Sequence, residues 1–143
     1  MATIGNTVRE RFARFQALDI GVQGSSDLPT EALAERARAF AAGHGGQAVV
    51  TPIEPGRLTR RWAICTGAGA GVETLREAAA GGIDTLIVGE GPHWTAVDGP
   101  DAGIVIIYAG HYATETLGVR ALAAQVSDRF GIAHVFIEAP TGL

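Results

Sequence analysis

A histidine and a glutamate stand four residues apart where an apolar run gives way to a helical pattern. The stretch GHYATETLGVRALAAQV follows IVIIYA and contains His111 and Glu115. Residues i and i+4 share one face of a helix, with Cβ atoms about 6 Å apart, so the two side chains could grip one metal ion or bridge two. A carboxylate near a helix N-terminus is also favoured by the helix macrodipole. The alternative is therefore that Thr114 or Glu115 serves only as a helix cap, and the residues alone leave both interpretations open.

A second polar pair follows the preceding apolar run. Glu90 and His93 lie in VGEGPHW, directly after DTLIVG. A carboxylate and an imidazole exposed at the end of a strand can act as acid, base or metal ligand. The alternative is a turn carboxylate and a surface histidine. The sequence offers Glu90 and His93 as candidate catalytic residues.

A glycine-rich turn supplies the third candidate site. Gly67, Gly69 and Gly71 fill CTGAGAGVE, between a predicted strand and a predicted helix. Backbone N–H groups at the N-terminus of a helix can hold an anion, so we expect a phosphate or cofactor near Gly69 to Val72. The dinucleotide-binding pattern fits only in part, because Val72 occupies the position of its third glycine. The alternative is a tight turn that simply needs glycine.

Helices and strands alternate along the rest of the chain. We predict helices in PTEALAERARAFAAG and GVETLREAAAGG and from Tyr112 to about Phe130, and strands in QAVVTPI, RRWAICTG, DTLIVGE, IVIIYAG and AHVFIEA. Alternating elements with continuous apolar strands indicate an α/β fold, a three-layer α/β/α sandwich with a mostly parallel sheet. In such folds functional residues lie at the carboxyl edge of the sheet, where all three candidate sites are expected.

The first part of the chain predicts a separate short helix. In NTVRERFARFQAL, Val8, Phe12 and Phe15 recur at helical spacing behind a candidate Asn6 cap. The Gly-, Ser- and Pro-containing segment GVQGSSDLP then predicts a loop and the main internal boundary.

Composition excludes several classes of function. The 143 residues carry 11 basic and 15 acidic side chains, a net charge of −4, with the arginines scattered, so nucleic-acid binding is disfavoured. No run approaches the roughly 20 apolar residues of a membrane span, and the N-terminal residues lack a signal-peptide core. The single cysteine, Cys65, lies in an apolar run and is predicted to be a buried thiol in a reducing compartment. We expect a cytoplasmic protein.

The motifs also carry a family resemblance. GEGPHW, IVIIYAGHYATETLGVRALAAQVSDRFG and VFIEAPTG resemble the end of the dinuclear-metal family of GTP cyclohydrolase type 2 homologues, also called NIF-three-like proteins. Earlier segments fit the same family in order, and GHYATE is the most specific match. The resemblance implies that His111 and Glu115 are metal ligands and that a complete site holds two divalent ions, with zinc, manganese, iron and magnesium all suitable. It implies metal-assisted hydrolysis as the reaction class, although no residue here reads guanine.

The resemblance further implies that this chain holds only part of the site. Members of the family are much longer, and their other ligands, a histidine pair and an aspartate, come from an N-terminal half that has no counterpart here. Residues 1–20 are then a remnant helix of that half, and residues 21–143 are the C-terminal α/β domain that carries GHYATE. Two ligands do not make a stable metal site, so we expect weak metal binding and no activity from the chain alone.

The expected partners follow from the same comparison. Relatives form ring-shaped homo-oligomers, so we expect self-association, with a separate N-terminal half as a further partner and a small-molecule or phosphate-containing ligand. The competing function is non-enzymatic, a metal-binding or nucleotide- or anion-binding assembly module.

Overall fold

The computed structural model describes residues 10–15 and 18–142. The strands are β1 (Glu10–Phe15), β2 (Leu18–Pro29), β3 (Val49–Val50), β4 (Leu58–Cys65), β5 (Thr85–Val88) and β6 (Val105–Tyr108). The helices are α1 (Thr30–Ala42), α2 (Val72–Ala80), α3 (Thr95–Asp101) and α4 (His111–Phe130). The described strands form one sheet in the order β1-β2-β4-β5-β6-β3.

The centre of the sheet is parallel. β4, β5 and β6 run in the same direction, with Cys65 beside Val88 and Val88 beside Tyr108. β2 joins β4, and β3 joins β6, in antiparallel fashion. The α/β class is therefore confirmed, while the sheet is mixed because parallel pairing is confined to the three central strands.

Helices cover both faces of the sheet. α1 packs Leu33 and Ala34 on one face, and α2 packs Leu75 and Ala78 on the other, so the core forms two clusters separated by the sheet. Cys65 is 1% exposed, as predicted, and this burial raises the pKa of its thiol. Among the described helices, none is both long and apolar enough to cross a membrane.

The predicted N-terminal helix is wrong over residues 10–15. This segment is strand β1, which pairs antiparallel with β2, and Phe12 is 1% exposed in the core. Gly21 lies opposite Phe12, where an added Cβ would lie 2.6 Å from the Phe12 carbonyl oxygen, so the close pairing depends on glycine. Pairing with β2 thus overrides the helical spacing of the apolar residues. Asn6 and Val8, and the side chain of Phe15, lie outside the described residues.

The predicted loop GVQGSSDLP is also wrong, because it lies within β2. This strand pairs with β1 on one side and with β4 on the other. The proposed boundary between residues 20 and 21 therefore falls inside strand β2. Residues 10–15 belong to the same sheet as the rest of the described chain.

The predicted last strand, AHVFIEA, is wrong as well. Residues 132–142 have no regular secondary structure and fold back along α4. Tyr112 donates a hydrogen bond from its hydroxyl to Glu138, which also pairs with Arg120. Val135 and Ile137 remain 82% and 79% exposed. The segment has the alternation of a strand but no neighbouring strand among the described residues.

Candidate metal site at the carboxyl edge of the sheet

Three turns meet where β4, β5 and β6 end. The amide of Glu90 donates to the Gly67 carbonyl at 2.8 Å, and the amide of Gly110 donates to the Gly89 carbonyl at 3.0 Å. These bonds continue the parallel ladder beyond the strands, so the three turns lie side by side. The structure thereby brings together Glu90 and the first turn of α4, which begins at His111.

His111 lies between two carboxylates. Its Nδ1 is 2.8 Å from Oε1 of Glu90, and its Nε2 is 3.4 Å from Oε1 of Glu115. The hydrogen bond to Glu90 makes the largest contribution to raising the pKa of His111 above its ordinary value of 6.5, and the charges of Glu115 and Glu90 add to it. When the ring is neutral and donates Nδ1–H to Glu90, the lone pair of Nε2 is left on the side of Glu115. The three side chains are 34%, 42% and 58% exposed for His111, Glu90 and Glu115, so solvent reaches the cluster.

Gly67 makes room for this arrangement. It adopts a φ of +63°, and an added Cβ would lie 2.5 Å from Oε1 of Glu115 and 3.4 Å from Nε2 of His111. The amide of Gly67 donates to Oγ1 of Thr114 at 3.0 Å, and that hydroxyl donates to the carbonyl of His111 at 3.1 Å. The buried Thr114 therefore ties the glycine turn to the start of α4. The sequence analysis gave Thr114 only a capping role. Its position inside the GHYATE motif was the one sequence feature that pointed to a further role.

The glycine turn offers fewer donors for an anion than the sequence suggested. The amide of Gly69 donates to the Gly67 carbonyl at 2.8 Å, and the amide of Ala70 donates to the Glu90 carbonyl at 3.2 Å. An added Cβ at Gly69 would lie 2.3 Å from the Cys65 carbonyl oxygen. The tight-turn alternative accounts for Gly69, and a β-branched substitution there would disrupt the turn itself. Gly71 is the N-cap of α2, where an added Cβ would meet nothing within 4 Å.

Glu90 and His93 both line a pocket of about 650 Å³ that opens beside this cluster. His93 is exposed in the loop before α3, and its ring makes no hydrogen bond to any residue that the structure describes. The structure thus places Glu90 against His111. His93 lies at the pocket and forms no hydrogen bond or ion pair with His111 or Glu115.

The described residues provide few side chains that could coordinate a metal ion at this edge. Within residues 10–15 and 18–142, no group of three or more His, Cys, Asp or Glu side chains is arranged to hold a metal ion. Glu90 contacts the Nδ1 side of His111, whereas Glu115 lies on the Nε2 side. Glu90 is therefore placed to orient the histidine, and His111 with Glu115 forms the candidate ligand pair.

Comparison with known sequences identifies relatives along nearly the whole chain. Residues 4–142 match the model of the family described as Duf34/NIF3 (NGG1p interacting factor 3). A GTP cyclohydrolase 1 type 2 homolog from Halobacterium salinarum is 44% identical over 142 residues, covering 98% of this chain and 54% of that protein. A homolog of the same name from Deinococcus radiodurans is 49% identical over 83 residues, covering 58% of this chain and 31% of that protein. The chain spans about half the length of the Halobacterium relative.

Solved structures share the fold. The protein ybgI, described as of unknown function, superposes with a TM-score of 0.76 at 24% identity, covering 96% of this chain and 53% of that one. The protein TTHA1606 from Thermus thermophilus gives a TM-score of 0.68 at 32% identity, covering 85% of this chain and 46% of that one. In both comparisons the match again extends over about half of the larger protein.

Proposed function

The chain belongs to the Duf34/NIF3 family, and we propose that it supplies His111 and Glu115 as ligands of a dinuclear metal centre completed by residues from outside this chain. The observation that carries the proposal is the 3.4 Å approach of Nε2 of His111 to Oε1 of Glu115 while Glu90 occupies Nδ1. Histidines that bind metals commonly donate their other ring N–H to a carboxylate, which fixes the tautomer and the ring orientation. Glu90 has this position here.

The proposed activity is metal-dependent hydrolysis. An imidazole and a carboxylate suit zinc, manganese, iron or magnesium. When bound, a pair of such ions would supply hydroxide near neutral pH and polarise an ester or phosphoryl oxygen. His93 is a candidate acid or base because it lines the pocket beside Glu90 with its ring free of hydrogen bonds to the described residues.

We propose that the chain alone binds metal weakly and turns over little substrate. A catalytic ion of the zinc type needs about three protein ligands and one open position. His111 and Glu115 provide two, and both are open to solvent. The missing ligands would come from a polypeptide equivalent to the other half of the Halobacterium relative.

We also propose that the protein self-associates. Phe12, which the sequence analysis grouped with Val8 and Phe15 on one helical face, is buried in this chain and offers no surface for association. Large apolar side chains are instead exposed on α4 and on the segment that follows it, namely Leu117, Val119, Leu122, Phe130, Ile132, Val135 and Ile137. Exposed apolar side chains grouped on one helix and the segment after it are typical of a surface that another polypeptide covers, which supports the proposal. Sedimentation at micromolar concentration should show a homo-oligomer, and a strictly monomeric species would count against self-association.

Calorimetric titration with zinc and manganese tests the metal site. The chain would be mixed with the N-terminal half of the Halobacterium relative, and parent, His111→Ala and Glu115→Ala chains would be compared. Asp128→Ala is the matched control, because it removes an acid from the same helix far along the chain from the site. We expect tight binding by the parent and the control and its loss in the two site variants. If the alanine variants bind metal as tightly as the parent, His111 and Glu115 are not ligands and GHYATE is only a helix start.

A second candidate function is metal binding without catalysis. It is favoured because the described residues provide two candidate ligands, His111 and Glu115, and both are open to solvent. Metal-dependent hydrolysis of ester and phosphoester substrates by the reconstituted pair separates the two functions. Turnover that disappears in His111→Ala supports the hydrolase, whereas tight metal binding with no turnover of either substrate class favours the binding module.

A further inference from the structure

The pocket beside Glu90 is placed to hold the substrate of the proposed metal centre. Its walls come from residues 45–47 after α1, from the loop after β5, and from the end of β6 with Gly110. A volume of about 650 Å³ lies within the range of roughly 300–1,000 Å³ that is usual for small-molecule sites. Glu90 belongs both to the wall and to the hydrogen bond with His111, so a ligand in the pocket would lie next to the metal ligands.

The charge of this wall is negative. Among the thirteen lining residues that belong to the described part of the chain, Glu90 is acidic, His93 is an imidazole and none is arginine or lysine. The hydrogen bond from His111 goes to Oε1 of Glu90, and no other described residue donates a hydrogen bond to Oε2. The amides of Gly69 and Ala70 in the neighbouring turn already donate to carbonyl oxygens. In the metal-free chain, a phosphate in the pocket would therefore face a carboxylate, with no arginine or lysine among the described lining residues to compensate its charge.

The shape of the wall favours a flat ligand. Six of the thirteen described lining residues are glycine, so backbone forms much of the surface that they provide. Gly91 cannot carry a side chain, because an added Cβ would lie 2.4 Å from Cβ of Ala70. Val49, Pro92 and the Tyr108 ring supply apolar contact elsewhere in the pocket. Glycine backbone lets a ring approach closely and presents amide and carbonyl groups to its edge.

We propose that this pocket binds an uncharged or cationic nitrogen heterocycle, as a free base or a nucleoside, and discriminates against the corresponding triphosphate. A ring N–H or amino group donates to Glu90, and the ring lies against the glycine backbone and the apolar residues. The inference rests on the proposed function in one respect, since a ligand in this pocket would lie next to the proposed metal centre.

Binding to the full chain without metal tests the proposal. Calorimetry or NMR titration would compare guanosine with GTP and adenosine with ATP, so that the ring stays the same and only the phosphates differ. We expect each nucleoside to bind at least about tenfold more tightly than its triphosphate. In Glu90→Gln, which removes the charge, this preference should shrink to less than about threefold.

Substitutions on α3 locate the ligand. Ala96 is exposed and lines the pocket, so Ala96→Trp should fill the space and abolish nucleoside binding. Val97 is the next residue on the helix, is 56% exposed and does not line the pocket, so Val97→Trp is the matched control and should bind normally. Equal thermal unfolding of the two variants would show that the fold is intact.

Three results would overturn the proposal: a triphosphate that binds as tightly as its nucleoside, no nucleoside binding at millimolar concentration, or unchanged binding in Ala96→Trp. Glu115→Ala separates this proposal from the metal site, because Glu115 does not line the pocket. Suppose that Glu115→Ala still binds nucleoside, and that the parent chain fails to bind metal in the reconstituted pair. These two results together would refute the proposed function and leave the pocket assignment standing. If the parent binds metal in the reconstituted pair but no nucleoside binds, the pocket assignment is refuted and the proposed function stands.

Discussion

Replacing Gly67 with alanine should weaken metal binding at the proposed site without unfolding the protein. The backbone at Gly67 has a φ of +63°, a conformation that raises the free energy of a residue with a side chain by roughly 1–2 kcal/mol. The nearest atoms to the added Cβ belong to the end of the Glu115 side chain, which can move. The free energy of unfolding should therefore fall by little more than the roughly 1–2 kcal/mol cost of the backbone conformation. This is well below the roughly 5–15 kcal/mol by which domains are stable.

The same methyl group displaces the carboxylate of Glu115. The added Cβ would lie 2.5 Å from Oε1, whereas ordinary contact begins at 3.4 Å, so the oxygen must move by roughly 1 Å. Metal–ligand distances tolerate only about 0.2 Å of deviation. We expect metal affinity to fall on the order of 10–100-fold, the range seen when the groups that orient metal ligands are removed.

Gly82→Ala is the matched control for this experiment. Gly82 has a φ of +65°, and an added Cβ there would meet nothing within 4 Å. Both variants should lose about the same stability in urea denaturation, and only Gly67→Ala should lose metal affinity. Zinc titration followed through the His111 ring signals by NMR measures even weak binding. Equal zinc affinity in the two variants would refute the argument that Gly67 holds space for a metal-binding Glu115.

Three further predictions address the surroundings of the site. Glu90→Ala should lower the pKa of His111 in an NMR titration, because Glu90 raises that pKa. The stabilisation that Glu90 gives the folded state should be full below about pH 6.5 and should fade as the pH rises through the folded-state pKa. A difference in unfolding free energy between the parent and Glu90→Ala that does not change with pH would contradict this. Thr59→Val should lower the free energy of unfolding by about 1–3 kcal/mol in urea, because it leaves two buried threonine hydroxyls without their shared partner. Tyr112→Phe should speed hydrogen exchange in residues 131–142 while changing global stability little, because its hydroxyl holds that segment against α4; unchanged exchange would show that the segment is held by other contacts.

The parts of the fold that the sequence predicted well are those whose signal is local. β5 and β6 are buried on both faces, so each appears as a continuous apolar run with a polar residue just after it. The parallel register then places the ends of these strands side by side, and the proximity of Glu90 to His111 follows from it. The edge that carries the candidate site was therefore within reach of sequence reasoning.

The errors arose where a distant partner decides the structure. Phe12 recurs at helical spacing, yet pairing with β2 makes its segment a strand. α3 was missed because it contains Gly99 and Pro100, both weak helix formers, and its position is set by packing on β6. Gly67 and Glu115 are 48 positions apart in the sequence, so no local pattern reveals that the glycine leaves space for the glutamate side chain.

The position of Glu90 couples two properties that would otherwise be independent. Its Oε1 is bonded to Nδ1 of His111, the position from which it would orient the ring for the proposed metal ion. The same carboxylate forms part of the pocket wall, where its charge disfavours a phosphate and favours a ring N–H. Because the Glu90 side chain both bonds to His111 and lines the pocket, any substitution that changes the ligand preference of the pocket also changes the hydrogen bond to His111. Glu90→Gln keeps an oxygen for Nδ1–H but removes the charge, so it should relax the discrimination against triphosphates more than it disturbs metal binding, whereas Glu90→Ala should impair both.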